Sequence, residues 1–132
     1  MDMIATDDAP QPAGHYSQAV VHQGIVYVAG QLPLDPTDPN APLGDARQQT
    51  RQALENVGSI LEAAGSGLDR TLQMTVYLTD ISLWPLVNEA YADVMGAHRP
   101  ARAVVPVGAL KPGCIIEIQA IASVREGTAE SR

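Results

Sequence analysis

The sequence predicts an α+β fold, a two-layer sandwich in which two helices cover one face of a sheet in the order ββαβαββ. Two segments carry apolar residues at three- and four-residue steps, which is the pattern of amphipathic helices. Strand-like segments lie before, between and after them. The length of 132 residues suits a single domain, residues 1–132, with one core. Each helix needs an apolar surface to bury against, so both are expected on the same side of the sheet.

The first two strands are predicted to form a hairpin. Residues 17–21 and 25–30 are short runs rich in β-branched residues, and residues 22–24 between them form a turn. The polar, proline-rich residues 1–13 precede the hairpin, and we expect at least the first few of them to be loosely held. Residues 31–44 follow with four prolines and form a long loop of a kind that is often functional or mobile.

Both helices have recognisable starts. Asp45 caps the first helix, and Gln48 three residues later completes a capping box. The second helix begins near Ser82, tolerates Pro85 in its first turn and ends at Gly96. The apolar stripe of the first helix consists of Ala46, Thr50, Ala53, Leu54, Val57, Ile60, Leu61 and Ala64.

Three further strands complete the predicted sheet. Residues 71–78 alternate between apolar and polar side chains, as a half-buried strand does. Residues 102–107 and 115–124 are the last two strands, with a Lys-Pro-Gly turn at 111–113 between them. The last strand is apolar on both sides apart from two polar residues, while the helices cover only one face. We therefore expect another protein surface, most simply a second copy of the chain, to cover the other face.

Composition and charge argue against several classes of function. The chain has eight Lys and Arg against fifteen Asp and Glu, and its basic residues are scattered, which disfavours nucleic-acid binding. No apolar run approaches the roughly 20 residues that span a bilayer, and the N-terminus lacks the features of a secretory signal. The lone Cys114 fits a reducing compartment, so we expect a cytoplasmic protein. His15, His22 and His98 have no metal-ligand spacing, so we expect no zinc site.

Two charged residues stand within the predicted strands. Arg102 cannot lose its proton, so it must reach water or bind an anion. Its two parallel N–H donors suit a carboxylate. The residues alone do not decide whether that carboxylate belongs to a ligand or to an Asp or Glu of a neighbouring subunit. Glu117 lies between Ile116 and Ile118. It is either desolvated, with a raised pKa, or held ionised by a partner such as Arg102.

Four segments resemble the RidA/YjgF family of reactive-intermediate deaminases. The specific part is Pro-Ala-Arg followed, after a proline-containing turn, by Ile-Glu-Ile. The resemblance covers about residues 9–124, which we expect to be the ordered core, with flexible tails at both ends. It implies a ββαβαββ fold and a homotrimer with its sheets around a central axis and its clefts between subunits. The segments are GHYSQA (14–19), YVAGQLPLDP (27–36), RPARAVVPV (99–107) and LKPGCIIEIQAIA (110–122).

The resemblance implies an enzyme that hydrolyses 2-imino acids, or the tautomeric 2-enamino acids, to 2-keto acids and ammonia without a metal or organic cofactor. Arg102 matches the arginine that holds the substrate carboxylate, and Glu117 matches the glutamate that positions or deprotonates the attacking water. The alternative for Glu117 is a structural ion pair with Arg102. For the whole protein, the alternatives are a non-catalytic ligand-binding or chaperone-like trimer, or a ribonuclease, which the acidic charge opposes.

Further positions of the implied substrate site match less strictly. Gly30 matches a glycine whose backbone lies against the substrate, although a strand-end bulge also explains a glycine there. Tyr16 matches the tyrosine that closes the cleft from the neighbouring subunit, or it packs at an edge. Ala29 and Val104 stand where many members have serine and cysteine, and both make the pocket more apolar. Asn88 is expected on the solvated face of the second helix.

Overall fold

The protein folds as a mixed sheet with helices on one face. A computed structural model describes residues 1–127, and within these residues six strands form one sheet in the order β1-β2-β3-β6-β4-β5. β4 and β5 are parallel and the other neighbouring strands are antiparallel. The predicted two-layer α+β architecture is confirmed. The elements are β1 (Asp2–Ile4), β2 (Ala19–His22), β3 (Ile25–Gln31), α1 (Ala46–Ala63), β4 (Thr71–Leu78), α2 (Trp84–Met95), β5 (Ala101–Pro106) and β6 (Ile116–Ser123).

The N-terminus departs from the predicted order, because Asp2–Ile4 adds a strand before the hairpin. This segment was expected to be loosely held, but it pairs antiparallel with β2. The buried Gln18 secures the loop that follows by donating to the carbonyl oxygens of Thr6 and Pro10 at 3.0 and 2.9 Å. A strand of three residues is too short to be recognised from an alternation of apolar and polar side chains. The flexible C-terminal tail that we expect falls largely on residues 128–132, which lie outside the described residues.

The turn and capping signals in the sequence are confirmed. Gln23 and Gly24 form the two-residue turn of the β2–β3 hairpin, and both have positive φ (51° and 78°), as a type I′ turn requires. At the start of α1, the Asp45 carboxylate accepts a hydrogen bond from the Gln48 N–H at 2.9 Å. The Gln48 side chain accepts one in return from the Asp45 N–H at 2.8 Å. Both signals are local, and both favour the same elements as the global fold.

The hydrophobic core lies between the helices and one face of the sheet. The apolar stripe of α1 is buried there, as predicted, against alternate residues of the central strands. On the other face of the sheet, hereafter the open face, Tyr27 is 47% exposed. Neither helix that the structure describes combines the length and apolar character needed to cross a membrane. Fully buried core residues include Leu54, Val57, Ile60 and Leu61 of α1 and Val26, Met74, Val76, Ile116 and Ile118 of the sheet.

Two buried amide side chains of α1 tie loops to this core. The Asn56 side chain donates to the carbonyl oxygens of Leu32 and Leu34 at 3.0 and 2.8 Å, which holds the start of the long loop after β3. The Gln49 side chain donates to the Gly113 carbonyl oxygen at 3.0 Å. These bonds satisfy backbone groups that the sheet leaves unpaired. The loop after β3 and the turn before β6 are therefore fixed relative to the strands that carry Gly30 and Glu117.

Candidate active site

Arg102 lies on the edge strand β5 and extends towards α2. Its neighbour in the parallel β4 strand is Met74, which is buried beneath the helices, so Arg102 points to the helix-covered face. Its Nη1 donates a hydrogen bond to Oδ1 of Asn88 at 3.1 Å. The guanidinium carbon Cζ lies 4.6 Å from the ring centroid of Trp84 and 4.8 Å from that of Tyr91. We call Arg102 with these three α2 residues the arginine half-site.

The Arg102 guanidinium has no carboxylate partner among residues 1–127. The ion pairs found in that range join Arg47 to Glu89 and Arg125 to Asp69. Cation–π attraction to the two rings holds the guanidinium in place without neutralising its charge. A guanidinium carries five N–H donors, so the one bond to Asn88 leaves most of them for another acceptor. No acid among residues 1–127 of the same protomer is therefore its partner, and both alternatives stated for Arg102, a ligand or an acid of a neighbouring subunit, remain open.

A cleft of about 420 Å³ opens beside Arg102, between the C-terminal part of α2 and the residues that lead into β5. Its polar lining includes Asn88, Tyr91, His98 and Arg99 as well as Arg102, and no acidic residue of the described chain lines it. In a chain with a net charge of −7, this is a local concentration of positive charge. Such a surface attracts a small anion and disfavours a cation.

Glu117 lies on the open face, away from Arg102. It is half-buried on β6 and stands opposite Tyr77 of β4, in the set of residues that alternates away from the helices. Gly30 lies directly against it, since a Cβ atom on Gly30 would be 2.8 Å from Oε2 of Glu117. The register between β3 and β6 shifts just before Gln31. Gly30 therefore lies at an irregular strand end as well as close to the Glu117 side chain. We call Glu117 with Gly30 the glutamate half-site.

The other predicted site residues divide between these regions. Val104 is half-buried on the same side of β5 as Arg102 and packs against the core. Ala29 is half-buried next to Gly30, and its N–H donates to the Gln18 carbonyl oxygen at 2.9 Å. Tyr16 is 53% exposed in the loop before β2. One protomer therefore presents two half-sites on opposite faces of its sheet.

The sequence did not identify Trp84 and Tyr91 as part of the site. Aromatic residues on the stripe of an amphipathic helix are usually core residues, and Tyr91 is only 5% exposed. Asn88, expected to be merely solvated, is exposed but bonded to Arg102. The spacing of Trp84, Asn88 and Tyr91 by four and three residues, on one helix face, is the signal that groups them. Across residues 1–127, no three His, Cys, Asp or Glu side chains are placed to hold a metal ion.

Comparisons with known proteins agree with this architecture. The family model described as endoribonuclease L-PSP matches residues 6–124. A RutC family protein of Pyrococcus horikoshii is 45% identical over 92% of this chain and 96% of that protein. The 2-iminobutanoate/2-iminopropanoate deaminase of Rattus norvegicus is 42% identical over 91% of this chain and 88% of that enzyme. The structure of Escherichia coli TdcF with bound serine matches with a TM-score of 0.89 and 34% identity, covering 95% of this chain and all of that one. The chain thus belongs to the endoribonuclease L-PSP family, which is the RidA/YjgF family that its motifs resemble.

Proposed function

We propose that the protein hydrolyses 2-imino acids, or their 2-enamino tautomers, to 2-keto acids and ammonia. The observation that carries this proposal is the Arg102 guanidinium, which α2 holds in a cleft and which has no acid partner among residues 1–127. Relatives with about 40% identity are named imine deaminases. The related TdcF was solved with serine, a small molecule that also carries a carboxylate. A bidentate guanidinium–carboxylate pair would fix both the position and the orientation of such a substrate.

In the proposed reaction, water adds to the imine carbon next to the carboxylate that Arg102 binds. Glu117 accepts a proton from the water as the carbon–oxygen bond forms, and a proton is then delivered to the nitrogen. This gives a carbinolamine, whose hydroxyl proton moves to the nitrogen as the carbon–nitrogen bond breaks, so that ammonia leaves and the carbon retains the oxygen as a ketone. No oxidation or reduction takes place. Ala29 and Val104 would form apolar surface beside the substrate, and Tyr16 would close the cleft.

This chemistry needs both half-sites, and we propose that they meet between neighbouring copies in a homotrimer. The half-sites lie on opposite faces of the sheet, so an interface that repeats around an axis can bring Arg102 of one protomer to Glu117 of the next. The open face supports this arrangement because it exposes apolar and aromatic groups around Tyr27 and Ile121. Burial of that face against other copies would remove this apolar surface from water.

Ile121→Arg is expected to dissociate the trimer. Ile121 stands between Tyr27 and Gln73 on the open face, where burying an unpaired charge is strongly unfavourable. Light scattering coupled to size-exclusion chromatography should give a trimer mass for the wild type and a smaller mass for the variant. Val94→Arg, the matched change at an exposed position of α2, should remain trimeric. A wild-type protein that is monomeric at micromolar concentration would contradict this assembly.

An assay with imines formed in situ tests the proposed function. An amino-acid oxidase generates the 2-imino acid, and its decay is followed with and without the protein. We expect the protein to accelerate the decay. Unchanged decay together with saturable binding of a 2-keto acid would favour the non-catalytic ligand-binding trimer. Cleavage of RNA in a parallel reaction would instead favour a ribonuclease, the activity after which the family model is named. The net charge of −7 disfavours that activity because it repels RNA.

A further inference from the structure

The hydroxyl group of Tyr91 is buried, and its proton has no acceptor among the residues that the structure describes. Tyr91 lies on α2 and is only 5% exposed. Folded proteins pair nearly all buried polar groups, and an unpaired one calls for a functional explanation or an absent partner. The hydroxyl gives up its hydrogen bonds to water when the chain folds, so the ligand-free protein carries a free-energy cost at this position.

The position of Tyr91 indicates where the partner comes from. Tyr91 lines the same cleft as Arg102, and its ring centroid lies 4.8 Å from the guanidinium carbon. Arg102 cannot supply the missing acceptor, because a guanidinium has donors only. The side-chain oxygen of Asn88 already accepts a hydrogen bond from Arg102. Residues 1–127 of one protomer therefore supply no acceptor, so the acceptor enters the cleft either with a ligand or from the neighbouring protomer.

The protonation state of Tyr91 suits it to be a donor. Burial raises the pKa of the Tyr91 hydroxyl, although the charge of Arg102 and a hydrogen bond from its guanidinium to the hydroxyl oxygen work in the opposite direction. The group therefore keeps its proton at neutral pH. A carboxylate bound to Arg102 has two oxygen atoms with about four acceptor sites, and a two-donor fork occupies only part of them. Such a carboxylate can accept a further hydrogen bond from a neighbouring hydroxyl.

We propose that Tyr91 is a further ligand-binding residue, whose hydroxyl donates a hydrogen bond to the carboxylate held by Arg102. The two residues then form one carboxylate-binding pair for small 2-imino and 2-keto monocarboxylates. Arg102 supplies the positive charge. Tyr91 donates a hydrogen bond from a second direction, which fixes the rotation of the carboxylate. The inference rests on the proposed function for the identity of the anion, but it does not depend on turnover.

Tyr91→Phe tests the pair, because it removes one oxygen atom and keeps the ring beside Arg102. Trp84 is the sole tryptophan of the chain and lies 4.6 Å from the Arg102 guanidinium carbon, so its fluorescence can report binding. The probe is 2-oxobutanoate, a keto acid that the proposed reaction does not consume. We expect its Kd to rise about 10-fold or more, as for a lost hydrogen bond to a charged group. Ser59→Ala, which also removes a single hydroxyl but lies on α1 away from the cleft, should leave Kd unchanged.

Thermal unfolding of the ligand-free variant gives the second readout. Tyr91→Phe removes a buried hydroxyl whose proton has no acceptor in the ligand-free protein, so its Tm should stay close to that of the wild type. An unchanged Kd in Tyr91→Phe, or no saturable binding by the wild type, would overturn the inference. A fall in Tm of several degrees would also overturn it, because the hydroxyl proton would then have an acceptor within the protein or its assembly. If the wild type binds the probe but hydrolyses no imine, the proposed function fails while the Kd comparison still decides the role of Tyr91.

Discussion

Replacing Arg102 with lysine is expected to lower kcat/KM for 2-imino acids by about 100-fold, or about 2.7 kcal/mol of transition-state stabilisation at 25 °C. Lysine keeps the positive charge but loses the planar two-donor fork that matches a carboxylate. It also lacks the flat guanidinium that lies against the rings of Trp84 and Tyr91. The decrease in kcat/KM should therefore result from the altered arrangement of N–H donors, since the positive charge is retained.

Two controls separate this role of Arg102 from a structural one. Arg51→Lys makes the same change at an exposed position of α1 and should leave kcat/KM unchanged. The melting temperature and trimer mass of Arg102→Lys should match those of the wild type, because the proposed partner of Arg102 is the ligand. Wild-type activity in Arg102→Lys would contradict the proposed bidentate pairing of the Arg102 guanidinium with the substrate carboxylate. Loss of the trimer would instead indicate an ion pair between subunits.

Replacing Glu117 with glutamine is expected to lower kcat by about 10²–10⁴-fold, the usual contribution of a general base. The amide has nearly the same shape and still fits against Gly30, but it cannot accept a proton from water at neutral pH. Because Glu117 is proposed to act on water and not on the carboxylate, KM should change little. Rapid-quench measurement of keto acid formation would give both constants.

Glu55→Gln is the matched control, since Glu55 is exposed on α1 and should tolerate the change. A decrease of less than 10-fold in kcat for Glu117→Gln would contradict the role of Glu117 as the base. A large rise in KM with unchanged kcat would place Glu117 in substrate binding instead.

Local signals explain why most of the fold was predictable. The capping box of Asp45 and Gln48 and the apolar stripe of α1 involve residues close in sequence, so pattern alone identifies them. The strand Asp2–Ile4 was missed because it is held by pairing with β2 and not by its own pattern. The parallel pairing of β4 with β5 also depends on tertiary structure, through the crossover formed by α2.

The candidate site was predictable only in part, for a related reason. The motifs identified Arg102, Glu117 and Gly30 one at a time, because each belongs to a short segment that resembles the family. Which face of the sheet each side chain occupies depends on strand order and register, which the motifs do not contain. Trp84 and Tyr91 were missed because their role depends on β5 lying beside α2.

The central claim is that imine hydrolysis requires Arg102 of one protomer and Glu117 of the next. Co-expression of Arg102→Lys and Glu117→Gln chains with different tags, followed by purification of mixed trimers, tests it most directly. In a cyclic trimer that contains both kinds of chain, one of the three interfaces pairs an intact Arg102 with an intact Glu117 of its neighbour, so about a third of the sites recover. We predict about a third of wild-type kcat/KM from the purified mixed trimers. Mixed trimers, verified by native mass spectrometry, that stay as inactive as either variant alone would contradict the account.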